Sequence, residues 1–137
     1  MFPIYCNRTL NLKKIKMIGL DMDHTLVRYH TEKFENLVFN FAIKALIAEK
    51  NYPETLNSLK FNFEEAIRGL VVDTQNGNIL KVSRYGVIKQ CRHGTHLKSH
   101  QEQTLFYRST YIDLNDHNYM AIDTAFSIAF CVLYGQL

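Results

Sequence analysis

The stretch Ile15-Lys16-Met17-Ile18-Gly19-Leu20-Asp21-Met22-Asp23-His24-Thr25-Leu26 constrains this chain more than any other. An apolar run leads directly into two aspartates one residue apart, and a threonine follows two residues later. Apolar residues occupy both alternating positions of the run, with Lys16 the one interruption. That pattern predicts a short strand buried on both faces, of the kind found in parallel sheets. In open α/β sheets, ligands bind beyond the carboxyl ends of the strands. Asp21 and Asp23 fall at that end.

Two carboxylates this close repel unless a cation lies between them or one holds a proton. Both arrangements suit phosphate chemistry. Mg²⁺ binds through one or two carboxylates and keeps its other positions for water and phosphate oxygens. Asp21 is the candidate nucleophile, able to form an aspartyl-phosphate. Asp23 is the candidate general acid and base. Backbone N–H groups at Met22 and Asp23 are placed to hold phosphate oxygens, and Thr25 to orient the loop through a local hydrogen bond.

Asp21-Met22-Asp23-His24-Thr25 resembles the first motif of the haloacid dehalogenase superfamily, D-x-D-x-[TV]. Gly19 to Tyr29, Arg68-Gly69-Leu70-Val71-Val72-Asp73 and Gly77-Asn78-Ile79-Leu80-Lys81 resemble, more narrowly, the cytosolic purine 5′-nucleotidases of the IMP/GMP-preferring branch. The resemblance implies a Mg²⁺-dependent hydrolase of purine nucleoside 5′-monophosphates. Asp21 is then nucleophile and metal ligand, and Asp23 adds a backbone carbonyl to the metal. It also implies an α/β, Rossmann-type fold. The family's remaining motifs are a Ser/Thr after a second strand, a Lys on a helix and a further acidic pair. They have no counterpart here, so residues 1–137 are expected to be the N-terminal portion of a larger nucleotidase domain, inactive alone. The alternatives are a non-catalytic remnant or partner-binding fragment, or another phosphatase of the same superfamily.

Bulk properties agree with a globular chain of one domain: 47% hydrophobic and 21% charged residues. A formal charge of +3 is too small and dispersed to indicate nucleic-acid binding. Cys6, Cys91 and Cys131 are odd in number and unevenly spaced, which favours reduced thiols in a cytoplasmic protein. The apolar patch Met1–Cys6 is too short for a secretory signal, and no run reaches membrane-span length.

Residues 7–14 are expected to form a polar leading arm. Phe34, Leu37, Val38, Phe41, Ala42, Ala45 and Leu46 recur at helical spacing, with Thr31 as N-cap, Glu32 and Glu35 in the first turn, and Asn51 and Pro53 as stop signals. A shorter helical signal covers residues 54–67. Leu70–Val72 and Ile79–Val82 flank an Asn76-Gly77 pair, a hairpin signal. With Val87–Cys91 they predict an antiparallel meander over residues 70–92. Residues 93–102 read as turns, 103–108 as a brief helix and Tyr111–Leu114 as irregular. A last helix is expected from Asp123 to Tyr134, so apolar that self-association into a homo-oligomer is expected.

Several further residues carry bland and functional readings together. Cys91, His93, His96 and His100 are zinc-ligand types, but their spacing departs from the common structural sites, and a solvated polar loop is the default. His24, Arg28 and Tyr29 adjoin the acidic loop and could face substrate, or simply pack. Arg68 and Arg84 could reach phosphate, or lie at the surface. Asp113 and Asp116 indicate a turn and lack calcium-loop spacing.

Overall fold

A computed structural model describes residues 11–108 and 111–137. The Met1–Cys6 patch, the start of the leading arm and Cys6 lie outside the described residues.

The first helix, α1 (Thr31–Lys50), follows from its apolar stripe. The apolar residues it buries are Phe39 and Ile43, beside that stripe, whereas Leu37 and Phe41 of the stripe are exposed; Asn51 ends the helix in the left-handed conformation at φ 56°. The N-cap is His30, without a side-chain cap, so Thr31 begins the helix instead of capping it. Residues 54–67 form two 3-10 turns, Glu54–Ser58 and Phe63–Glu65, in place of the expected short helix.

The meander is present as β1 (Leu70–Asp73), β2 (Asn78–Val82) and β3 (Ile88–His93). Two strands unread in the sequence extend it, β4 (His96–Leu97) and β5 (Tyr119–Ile122). The order is β4-β3-β2-β1-β5, and every pairing is antiparallel. Opposite faces alternate as the pleat requires. Val72, Ile79 and Ile122 face one core with Phe39 and Ile43 of α1; Val71, Leu80 and Cys91 face another. The architecture is therefore mixed α/β with an antiparallel sheet.

The expected buried strand at Ile15–Leu20 is not there. These residues are exposed and outside the sheet, with Met17 88%, Ile18 77% and Leu20 65% accessible. A strand needs a neighbour for its backbone N–H and C=O groups. Among the described residues no parallel strand offers one.

The β1–β2 connection is tied by Asp73, which is buried. Its Oδ1 accepts from the N–H of Gln75 and of Asn76, each at 3.1 Å. Its Oδ2 accepts from Asn76 Nδ2 at 2.8 Å and from the Tyr107 hydroxyl at 2.6 Å. Asn78 Nδ2 donates to the same hydroxyl, at 2.7 Å. Burial, then donation to Asp73, push the Tyr107 hydroxyl far above its ordinary range. Of the Asn76-Gly77 pair only Gly77 takes a positive φ, 69°. A Cβ there would stand 3.3 Å from His93 Cε1. Gly77→Val is therefore expected to destabilise the protein by about 1–2 kcal/mol in chemical denaturation, and Gly77→Asn by less.

The second helix, α2 (His100–Tyr107), starts before the expected brief helix because Ser99 and Glu102 form a capping box. Ser99 N–H donates to Glu102 at 2.7 Å. The last helix, α3 (Ile128–Gln136), starts later than expected, after a 3-10 turn at Ala125–Ser127. Phe130 of α3 and Met120 of β5 remain half-exposed beside an open apolar groove of about 410 Å³. No helix among the described residues is long and apolar enough to cross a membrane.

Candidate active site

The acidic loop is a tight backbone turn. The Met22 carbonyl accepts from the N–H of Leu26 at 3.0 Å and of Val27 at 2.9 Å, with Thr25 N–H at 3.4 Å. His24 sits at φ 58°, the strained position of the turn. Among the described residues nothing pairs with the backbone N–H of Met22 or Asp23. Thr25 joins the turn through its backbone; its hydroxyl has no partner among the described residues, so the expected side-chain tether is not made.

Asp21 is exposed and accepts no hydrogen bond among the described residues. Asp23 is partly buried, and the Tyr29 hydroxyl donates to its Oδ1 at 2.5 Å. That bond, followed by desolvation, raises the Tyr29 hydroxyl above its usual range. Tyr29 packs edge-on against Phe34 of α1 at 5.4 Å and Phe126 of the 3-10 turn at 5.6 Å. The His24 ring contacts both Tyr29 and Phe126, at 5.4 and 5.7 Å. This aromatic cluster pins the loop to α1 and to the start of α3, with no strand beneath it. Tyr29 is the residue the sequence undervalued. Its only local signal is a polar-tipped aromatic soon after the two aspartates.

A cleft of about 650 Å³ opens beside the loop, with His24, Glu32, Phe63 and Arg68 among its walls. Its size lies in the usual range for small-molecule sites. Arg68 thus faces a cavity next to the acidic loop. Arg84 instead stacks on the Tyr85 ring, 4.5 Å from its centroid, at the β2–β3 turn.

The zinc-type residues do not converge. Cys91 is fully buried in the sheet core, where desolvation raises its thiol. His93 Nδ1 pairs with Asn78 Oδ1 at 2.9 Å. Among the described residues no three His, Cys, Asp or Glu side chains are grouped to hold a metal. Cys131 is also free and buried, its thiol pushed up to about 11 by desolvation. Asp113 makes the expected turn by accepting from Asn115 N–H at 2.9 Å.

Comparison with known proteins shows a family for the chain. A model of the 5′ nucleotidase family matches residues 4–137. The human protein "5′-nucleotidase domain-containing protein 1" is 34% identical over 86 residues, covering 62% of this chain and 19% of that protein. A 5′-nucleotidase domain-containing protein of Dictyostelium discoideum is 33% identical over 79 residues, covering 58% of this chain and 13% of the relative. The matched stretch thus spans less than a fifth of each relative. With almost its whole length matched, the chain belongs to the 5′ nucleotidase family.

Proposed function

We propose that this chain carries the nucleophile loop of a Mg²⁺-dependent 5′-nucleotidase of haloacid dehalogenase type, acting on purine nucleoside 5′-monophosphates. The observation that carries the reading is the division of labour at the loop. Asp21 stands exposed and unpaired among the described residues, while Asp23 is held at one oxygen by Tyr29.

Asp21 attacks phosphorus and forms an aspartyl-phosphate as the bond to the nucleoside oxygen breaks. Asp23 delivers a proton to the leaving oxygen, giving the nucleoside. It then takes a proton from the water that cleaves the acyl-phosphate, releasing inorganic phosphate and restoring Asp21. Tyr29 fixes Asp23 Oδ1, which leaves Oδ2 free for both transfers. The N–H groups of Met22 and Asp23 are open to hold phosphate oxygens. The donor set fits the metal: Asp21 and the Asp23 carbonyl are hard oxygen ligands, which Mg²⁺ prefers, with the balance left to water and phosphate. When bound, the ion neutralises charge on the transferring phosphoryl group. The preference for IMP and GMP rests on the likeness of residues 19–29, 68–73 and 77–81 to that branch.

Beryllofluoride mimics the aspartyl-phosphate. With Mg²⁺ it is expected to attach at Asp21, giving a bound ¹⁹F resonance that is lost in Asp21→Asn and kept in Asp23→Asn. Attachment that survives Asp21→Asn would move the nucleophile elsewhere.

A further inference from the structure

We propose that Asn76 is a modification site gated by the fold. It is shielded from deamidation while the β1–β2 hairpin is closed and reacts when the hairpin opens. The product then keeps the hairpin from closing again. The step needs only water and draws nothing from the acidic loop. Asn76-Gly77 is the single Asn-Gly step of the chain. Deamidation begins there with attack of the Gly77 backbone nitrogen on Asn76 Cγ. The N–Cγ bond forms as the nitrogen loses its proton, the Cγ–Nδ2 bond breaks, and ammonia leaves. A succinimide ring remains, and water opens it at one carbonyl or the other to give aspartate or isoaspartate. Glycine favours the attack because it has no side chain to hinder a close backbone approach.

The closed hairpin ties down both reacting groups. Gly77 N–H donates to the Asp73 carbonyl at 2.9 Å, so the proton that must leave is committed and its peptide plane is fixed. The leaving group is held as well. Asn76 Nδ2 donates to Asp73 Oδ2 at 2.8 Å. An ionised carboxylate only accepts, so the nitrogen end of the amide faces it. The Asn76 N–H donates to the other Asp73 oxygen at 3.1 Å. Asp73 is itself 1% exposed and accepts from the Tyr107 hydroxyl at 2.6 Å. Tyr107 belongs to α2, so a tertiary contact locks this local turn. Reaction at Asn76 then follows the population of the opened hairpin.

Neither product fits the lock. In aspartate, a carboxylate oxygen replaces the donor that faces Asp73 Oδ2. Two carboxylates at that separation repel unless one holds a proton. Isoaspartate routes the backbone through Cγ and adds a methylene to the chain between Asp73 and Asn78. Those two residues face each other in the β1–β2 register, so the longer turn no longer spans them correctly. Ammonia has left, so the amide is not regained. The buried bond from Asn78 Nδ2 to Tyr107 then has no closed hairpin to complete it.

The experiment is incubation of the whole chain in mildly alkaline buffer, followed by trypsin digestion and mass spectrometry. Cleavage after Arg68 and Lys81 isolates the peptide Gly69–Lys81, whose mass gain on amide-to-acid conversion is followed in time. The same chain held in denaturant gives the rate of the open hairpin. The native chain is expected to convert roughly tenfold or more slowly. Tyr107→Phe removes the locking hydroxyl and leaves Asn76-Gly77 intact, so native conversion is expected to accelerate severalfold. A wild-type series in rising denaturant gives a second measure that does not depend on that variant folding, and its rate is expected to climb with denaturant. Asn76→Asp stands in for one product and is expected to lower the denaturant midpoint more than Asn76→Ala, which adds no charge. Equal rates in the native and denatured chain, a flat rate across the denaturant series, or no acceleration in a folded Tyr107→Phe would overturn the gating. A midpoint in Asn76→Asp no lower than in Asn76→Ala would overturn the claim that the aspartate product opposes closure.

Discussion

Asp21→Asn is expected to lower phosphate release from IMP or GMP by roughly 10⁴-fold or more, in whichever assembly of this chain supports turnover. The amide matches the carboxylate in shape but cannot form an acyl-phosphate. Asp21 is exposed and accepts no hydrogen bond among the described residues, so folding is expected to change by only about 0.5 kcal/mol or less. Asp23→Asn is expected to be milder, about 10²–10⁴-fold, because on the proposed mechanism it removes proton transfer and leaves the nucleophile. The two variants should also differ in kind. Steady-state rates and beryllofluoride attachment fall together in Asp21→Asn, whereas Asp23→Asn loses rate and keeps attachment. Equal, modest losses in both would show that neither aspartate forms a covalent intermediate.

The largest stability effect is expected at Glu35. This carboxylate is fully buried, and its Oε2 accepts from the Ala129 N–H at 2.7 Å, at the first turn of α3. Among the described residues its Oε1 has no hydrogen-bond partner. Burial raises the Glu35 carboxyl above its usual range, and the Ala129 hydrogen bond only partly offsets that. Glu35→Ala leaves the buried Ala129 N–H unpaired and opens a cavity, so a loss of about 2–3 kcal/mol is expected.

Glu35→Gln behaves differently, and pH separates the two effects. A carboxyl raised on folding means that the folded chain binds more protons than the unfolded one. Its stability is then greatest below the ordinary carboxyl range and falls as pH rises through the raised value. Denaturant midpoints measured from about pH 4 to pH 8 should show this decline in the wild type. The part due to Glu35 should vanish in Glu35→Gln, whose amide oxygen keeps the Ala129 bond. An unchanged pH slope in Glu35→Gln would show that the buried carboxyl is not the titrating group.

Glu35 also shows how position misleads a reading of sequence. The sequence puts it in the first turn of α1, where an acidic residue ordinarily faces solvent and complements the helix dipole, but the helix begins at Thr31 and sets Glu35 one turn further in. Here it turns inward and bridges α1 to α3. Nothing near residue 35 announces this, because the partner is Ala129, far along the chain. Tyr29 is similar. Its bond to Asp23 is local, but Phe34 and Phe126 hold the ring that makes it.

Features closed within a few residues were legible in the sequence. The stripe of α1, its stop at Asn51, the meander over residues 70–92 and the turn at Gly77 depend on period and backbone preference, which neighbouring residues carry. The chemistry proposed for the two aspartates comes from residue type, spacing and the likeness to a known motif. The pattern at Ile15–Leu20 declared a wish for burial but not a partner, and among the described residues no strand pairs with it. Conversely, Tyr119–Ile122 carries a weak pattern and becomes β5 because the open edge of β1 supplies its hydrogen bonds. The aromatic cluster and the cleft joining His24 to Arg68 needed the fold, since they gather residues from segments distant in sequence. Local preferences are set by short-range sterics, whereas pairing and burial depend on which distant surfaces the chain brings together.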